Sequence, residues 1–145
     1  MAVQHGREEV RVPGLAPPLS HYTDAVWAGD LLFVSGVPAL DSAGLLVGPG
    51  DVVAQFGQIL ENLQAVLAAV GLTPADVIKV NLYLTNVADR PLINPQRIAF
   101  FGEARPASTL VGVAELPVPG MLVEMEAVAY LPGRNGAVRA EGSTT

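Results

Sequence analysis

The chain has 145 residues, enough for one domain, and half of them are apolar while only 15% are charged, which excludes an intrinsically disordered chain. The net charge of −6 and the scatter of the eight Lys and Arg residues argue against a nucleic-acid-binding protein. The chain has no cysteine and only two histidines, so we expect no disulfide, no metal centre and no cofactor.

The sequence predicts neither a signal peptide nor a membrane span. Residues 1–9 carry no apolar stretch of the kind that signal peptides need. No run of about 18 apolar residues occurs in the chain. We therefore expect a cytoplasmic protein that does not enter the membrane.

The two ends of the chain differ in composition from its middle. Residues 1–20 contain three prolines and several charges, which predicts an extended arm with at most one short edge strand near residues 10–12. Residues 132–145 begin with Pro-Gly and end in polar residues, which is typical of a frayed tail. A single domain is therefore expected over residues 21–131.

The first predicted elements are two strands and a loop. Residues 22–27 and the apolar run 31–36 are separated by a Gly-Asp turn, which predicts two neighbouring strands. Residues 41–50 contain three glycines and a proline and therefore predict a loop.

A long amphipathic helix is predicted over residues 52–70. Its apolar residues recur in steps of three, four and one, so that they share one face of the helix. Asp51 is a suitable N-cap, and Gly71 suits the C-terminal end. Residues 73–76, Thr-Pro-Ala-Asp, predict a short helical turn directly after it.

The second half of the domain predicts three more strands and a shorter helix. Residues 77–85 are rich in Val, Ile and Leu, which is typical of a strand buried on both faces. Residues 94–101 predict the helix, with Pro95 in its first turn. Residues 108–115 and 122–130 show the alternation of strands, and the Pro-Val-Pro-Gly sequence between them favours a hairpin.

The predicted order is strand, strand, long helix, strand, helix, strand, strand. This order predicts an α+β fold in which one mixed sheet carries both helices on the same face. No element remains to cover the other face, so we expect a partner subunit to cover it.

Six segments of the sequence, in order, resemble the reactive-intermediate-deaminase (Rid, also called YjgF) family. They are the block from His21 to Gly36, the helix sequence around Asn62-Leu63, the strand 76–84, Asn94 with Ala99-Phe100-Phe101, the signature Pro106-Ala107-Ser108-Thr109, and Val123-Glu124-Met125-Glu126-Ala127. The resemblance spans about residues 9–132. It implies a chorismate-mutase-like fold, a homotrimer, and a small-molecule site in each cleft between subunits.

The resemblance also implies which residues carry the chemistry. In the family's deaminases an arginine of the signature strand binds the substrate carboxylate, and a glutamate of the last strand helps to activate the water that hydrolyses an imine. Ser108 stands at the arginine's position, and Glu124 stands at the glutamate's position, opposite it in the cleft. Arg105 replaces the arginine only if the chain bends, since three residues of extended chain span about 10 Å and end on the other face.

Seven residues are implied to bind the substrate, and all of them except Leu110 also have a simpler interpretation. They are Tyr22, Ser35, Gly36, Asn94, Ser108, Thr109 and Leu110. Tyr22 is alternatively a packing residue, and Asn94 is alternatively a helix N-cap. Ser35 and Gly36 alternatively mark a close backbone approach. The hydroxyl groups of the signature strand are alternatively ordinary strand side chains.

Three functions remain open from the sequence. Ser108 and Leu110 make the implied pocket less cationic, which favours an enzyme that acts on a neutral reactive imine, enamine or related carbonyl compound with Glu124 as acid or base. The second possibility is a 2-iminobutanoate/2-iminopropanoate deaminase. The third is a non-catalytic module that binds a ligand or another protein, in which Glu124, like Glu126, is an acid on a solvated strand face.

Overall fold

A computed structural model of the chain describes residues 3, 4 and 6–134, and within them seven strands form one sheet in the order β1-β2-β3-β4-β7-β5-β6. The strands are β1 (Val3–Gln4), β2 (Arg7–Val10), β3 (Ala25–Ala28), β4 (Leu31–Val37), β5 (Val77–Leu84), β6 (Ala107–Gly112) and β7 (Val123–Tyr130). Neighbouring strands are antiparallel except β5 and β6, which run parallel.

The long helix, α1, covers Val52–Ala69 and confirms the prediction to within one residue. The side chain of Asp51 accepts a hydrogen bond from the Ala54 N–H at 3.0 Å, as expected of an N-cap. Gly71 follows the helix with a φ of 76°, a left-handed conformation that favours glycine. The apolar face of α1 packs on the sheet and supplies Phe56, Ile59, Leu63 and Leu67 to the core.

The second helix, α2, covers Arg90–Phe101, so the predicted start at residue 94 is wrong. Pro91 takes the first turn, where a missing N–H costs nothing, and Pro95 lies inside the helix. Pro95 has no N–H to donate to the carbonyl of Pro91, and the helix continues through this position to Phe101. Both helices nevertheless lie on one side of the sheet, which confirms the α+β fold.

The predicted hairpin between the last two strands is also wrong. Strand β7 lies between β4 and β5, and β6 is an edge strand parallel to β5. The burial of the two strands explains the order: β7 buries every second residue, whereas five of the six residues of β6 are exposed. A strand with a fully buried face is more stable with neighbours on both sides, and α2 provides the crossover that a parallel pair needs.

The first part of the chain carries more structure than the sequence predicts. Two short strands form here, and β2 ends at Val10 instead of continuing to residue 12. Val10 and Val12 belong to the hydrophobic core, and Arg11 pairs with Asp24 at 2.5 Å. The strand predicted from residue 22 begins only at Ala25. The division into arm, domain and tail stays a prediction, and His5 and residues 135–145 lie outside the described residues.

The two faces of the sheet differ in what covers them. The helix face carries the buried side chains of Val34, Leu82 and Met125. On the other face, here called the open face, Phe33 and Tyr130 are 47% and 42% exposed. No helix in the described part of the chain covers the open face. No helix among these residues is long and apolar enough to cross a membrane.

Candidate functional site

Glu124 lies on β7 with its side chain on the open face of the sheet. It is paired across the sheet with Tyr83 on β5. Its carboxylate is half-buried and has no hydrogen-bond or ion-pair partner among the described residues. Burial raises the pKa of Glu124, and the negative charge of Glu126 raises it further. A carboxylate that is partly desolvated and not committed to an internal bond is suited to exchange protons with a bound molecule.

Glu126, two residues further along the same face, has a different environment. Its Oε1 atom accepts hydrogen bonds from the Tyr83 hydroxyl at 2.5 Å and from Asn81 Nδ2 at 2.9 Å. The bond to Glu126 is the main reason why the pKa of Tyr83 is raised. Glu126 is therefore a structural acid, and the structure separates two residues that look alike in the sequence.

Gly36 stands directly against the carboxylate of Glu124. The register of β4 against β7 shifts between Val34 and Val37, so that Ser35 and Gly36 form a bulge. A Cβ atom at position 36 would overlap Oε1 of Glu124, and only glycine leaves room for the carboxylate there. The two predicted site residues, Gly36 and Glu124, are thus brought together.

Ser35, Gly36 and Tyr22 line a small cavity between β4 and the segment before β3. The Ser35 hydroxyl donates to the carbonyl of Thr23 at 2.5 Å, and the Tyr22 hydroxyl accepts a hydrogen bond from the Leu19 N–H at 3.0 Å. The cavity measures about 50 Å³, far below the roughly 300 Å³ at which ligand pockets usually begin. A substrate beside Glu124 therefore needs space outside this cavity, over the open face.

Ser108 and Leu110 lie on the opposite face of the sheet from Glu124. They are paired with Val80 and Leu82 of β5, whose side chains are fully buried on the helix face. Thr109 points to the open face instead, where its hydroxyl receives a hydrogen bond from Lys79 Nζ at 2.8 Å. Ser108 and Glu124 of one copy are thus separated by the sheet itself, and they can contact the same molecule only if two copies share a site.

The side chain of Ser108 is contacted by an arginine that the sequence did not indicate as a site residue. Arg97 projects from α2, and its Nη2 donates to the Ser108 Oγ at 2.9 Å. Its guanidinium is half-buried, and burial lowers the pKa of Arg97. Arg105, the candidate considered from the sequence, is exposed, and its side chain makes no hydrogen bond or ion pair within the described residues. The sequence signal for Arg97 is weak: it is a helical arginine without an acid three or four residues away.

Asn94 lies one turn before Arg97 on α2. It is exposed and sits inside the helix, so its interpretation as the N-cap is wrong, and Asp89 occupies that position. Residues three apart on a helix are neighbours, which places Asn94 beside Arg97 on the helix surface. Arg97 and Ser108, which are hydrogen-bonded, and Asn94, one turn before Arg97, are here called the α2–β6 group.

A family model described as Endoribonuclease L-PSP matches residues 14–131. The chain belongs to the Rid (YjgF) family. The solved structure of a RidA protein from an Antarctic Psychrobacter species has a TM-score of 0.80 and is 30% identical, covering 86% of this chain and 99% of that one.

Two curated Rid-family relatives carry deaminase names. The 3-aminoacrylate deaminase RutC of Acinetobacter baylyi is 35% identical over 125 residues, which cover 86% of this chain and 98% of the relative. The 2-iminobutanoate/2-iminopropanoate deaminase of Dermatophagoides farinae is 35% identical over 118 residues, covering 81% of this chain and 91% of the relative. At the level of the family, these relatives support a deaminase that acts on imines.

Proposed function

We propose that this Rid-family protein hydrolyses a small imine, or the imine form of an enamine, to a carbonyl compound and ammonia. The observation that carries the proposal is the carboxylate of Glu124, which is half-buried, has a raised pKa and makes no bond within the described part of the chain. Glu126, on the same strand, shows what a structural acid looks like, because Asn81 and Tyr83 both donate hydrogen bonds to its carboxylate.

The reaction follows from what a carboxylate with a raised pKa can do. Glu124 takes a proton from a water molecule and passes it to the imine nitrogen, while the water oxygen attacks the imine carbon; a C–O bond forms, the C=N π bond breaks, and a carbinolamine results. Glu124 then transfers the hydroxyl proton of the carbinolamine to the nitrogen, the C–N bond breaks, and ammonia leaves as the carbonyl forms. The atoms balance without a redox partner, and the carboxylate ends in its starting state.

The site is proposed to lie between two copies of the chain. Glu124 faces the open side of the sheet, where Phe33 and Tyr130 expose apolar surface that a second copy would cover. Covering this face would also exclude water around Glu124, which strengthens the electrostatic effects on its pKa. A homotrimer with shared clefts, as the resemblance implies, accounts for both features.

The test compares two variants of neighbouring acids, Glu124→Gln and Glu126→Gln. The substrate is 2-iminobutanoate, generated by an amino-acid oxidase and trapped by semicarbazide in competition with the enzyme. We expect Glu124→Gln to lower kcat/KM by about a hundredfold or more, the usual size of a general acid–base contribution.

Glu126→Gln is the control, since it removes a charge two residues away and the amide oxygen of Gln can still accept the bond from Tyr83. It should keep most of the activity. Equal losses in the two variants, or equal rates for the wild type and Glu124→Gln, would contradict the role of Glu124.

A further inference from the structure

Arg97 is the feature of the molecule that the proposed function leaves unexplained. A guanidinium keeps its proton in a protein, and its N–H groups bind best to an anion such as a carboxylate. Arg97 has one neutral acceptor, Ser108, and no carboxylate partner among the described residues. The three ion pairs of the described part all involve other residues, and each of them joins an arginine to an acid.

No acid lies one turn away from Arg97 on α2. Its neighbours three and four positions away on α2 are Ile93, Asn94, Phe100 and Phe101. Asn94 adds an amide donor beside it, and the half-buried Leu110 lies two residues after Ser108 on the same strand face. A cation, an amide and a hydroxyl with an apolar border are suited to hold an anion, and a carboxylate fits the fork of a guanidinium.

We propose that Arg97, oriented by Ser108, binds the carboxylate of the substrate. This inference rests on the proposed function, and it names the substrate class: an imine or enamine that carries a carboxylate. It reverses the expectation of a neutral substrate, which rested on Ser108 alone, because Arg97 of α2 supplies the positive charge that β6 lacks. Ser108 acts here as a positioning residue, since its oxygen engages Nη2 and leaves the other guanidinium N–H groups for the substrate.

The geometry also assigns the two halves of the site to different copies. Arg97 and Ser108 lie on the helix side of β6, whereas Glu124 lies on the open side of β7, two strands or about 10 Å away across the sheet. A small molecule cannot contact both groups in one copy. The carboxylate end of the substrate is therefore bound by one copy, and its imine end faces Glu124 of the neighbouring copy.

The experiment measures kcat/KM on two substrates with the full-length protein. One substrate is 2-iminobutanoate, and the other is an imine without a carboxylate, generated from a primary amine by a flavin amine oxidase. Arg97→Met should lower kcat/KM for 2-iminobutanoate roughly 10- to 100-fold, mainly through KM, because it removes a charge-assisted contact. It should leave kcat/KM for the carboxylate-free imine unchanged. Arg97→Lys should fall between wild type and Arg97→Met, since it keeps the charge without the fork.

Arg105→Met is the matched control, because Arg105 is an exposed arginine on the segment leading into β6. It should match the wild type on both substrates. Ser108→Ala should raise KM for 2-iminobutanoate and leave kcat in place, as expected when only the orientation of Arg97 is lost. Equal kcat/KM of Arg97→Met and the wild type for 2-iminobutanoate, or a loss shared by both substrates, would overturn the assignment.

Failure of the proposed function would look different. In that case the wild type would be no faster than Glu124→Gln on either substrate. Calorimetric titration with 2-oxobutanoate would then still decide the role of Arg97. The carboxylate site is supported if 2-oxobutanoate binds Arg97→Met at least tenfold more weakly than it binds the wild type and Arg105→Met. The same affinity in all three proteins refutes the site.

Discussion

Glu124 and Glu126 show how strongly the environment of a residue depends on the strands beside it. Both are glutamates on β7, both face the open side of the sheet, and only Met125 separates them in the sequence. One accepts hydrogen bonds from Asn81 and Tyr83, and the other stands against the backbone of Gly36. Nothing in the local sequence distinguishes them. The resemblance singles out Glu124, and the difference between the environments of the two acids depends on β4 and β5, which lie on either side of β7.

The raised pKa of Glu124 makes a prediction about stability. Since the native pKa lies above the unfolded one, the native state binds more protons between the two values, and the free energy of unfolding falls as the pH rises through that window. Above the native pKa, Glu124 is charged in both the native and the unfolded state, and its partial burial then lowers the free energy of unfolding by the full amount. Glu124→Gln should therefore raise Tm at neutral pH, and the gain should vanish below the ordinary glutamate pKa, where both proteins carry a neutral side chain.

Thermal unfolding followed by circular dichroism, at one protein concentration and at both pH values, measures this difference. Because Glu124 is only half-buried, water screens part of the effect, and the sign of the change is the test. A Glu124→Gln protein that is less stable than the wild type at neutral pH, but not at acid pH, would show that the charged carboxylate stabilises the fold and would contradict the raised pKa.

At the scale of the elements, local patterns predicted what local interactions decide. The period of α1 and its N-cap, Asp51, placed that helix to within one residue, and the Thr73–Asp76 turn is confirmed by the bond from the Thr73 N–H to the Asp76 carboxylate at 2.8 Å. Strand pairing depends on the whole core, and so the hairpin of the last two strands was mispredicted. Arg97 was missed for the same reason: only the packing of α2 beside β6 brings it to Ser108.

The bulge of β4 leads to a prediction for Gly36. Gly36→Ala places a methyl group where Oε1 of Glu124 stands, and the carboxylate can move away because it is the end of a flexible side chain. The fold should survive, while kcat/KM for imine hydrolysis should fall by about a hundredfold, the effect of shifting a catalytic group by an ångström. Turnover assays and thermal unfolding of the purified variant separate the two effects.

Gly57→Ala is the control for the glycine change. Gly57 lies within α1, where a new Cβ meets Gln96 Nε2 at an ordinary 3.5 Å. The substitution should keep full activity and stabilise the protein by about 0.5–1 kcal/mol, because alanine is the better helix former. If Gly36→Ala were as active as Gly57→Ala, Gly36 would not hold the position of Glu124.

At the scale of the whole molecule, the proposal assigns two incomplete halves of a site to one chain. The α2–β6 group lies on the helix side of the sheet, and Glu124 lies on the open side with the exposed side chains of Phe33 and Tyr130. The sequence correctly indicated that the open face lacks a cover, since no element was left to provide one. It did not indicate that the residues of the implied site separate onto two faces, because that depends on the register of β6 against β5.

The most direct test of the account is the activity of mixed oligomers. Arg97→Met and Glu124→Gln chains, each with its own affinity tag, are co-expressed, and oligomers that contain both are isolated by successive purification on the two tags. A cleft that combines the intact Arg97 of one chain with the intact Glu124 of the other should regain the kcat/KM for 2-iminobutanoate that each variant alone has lost. Mixed oligomers that remain as inactive as their parents would contradict a site shared between Arg97 and Glu124 of neighbouring copies.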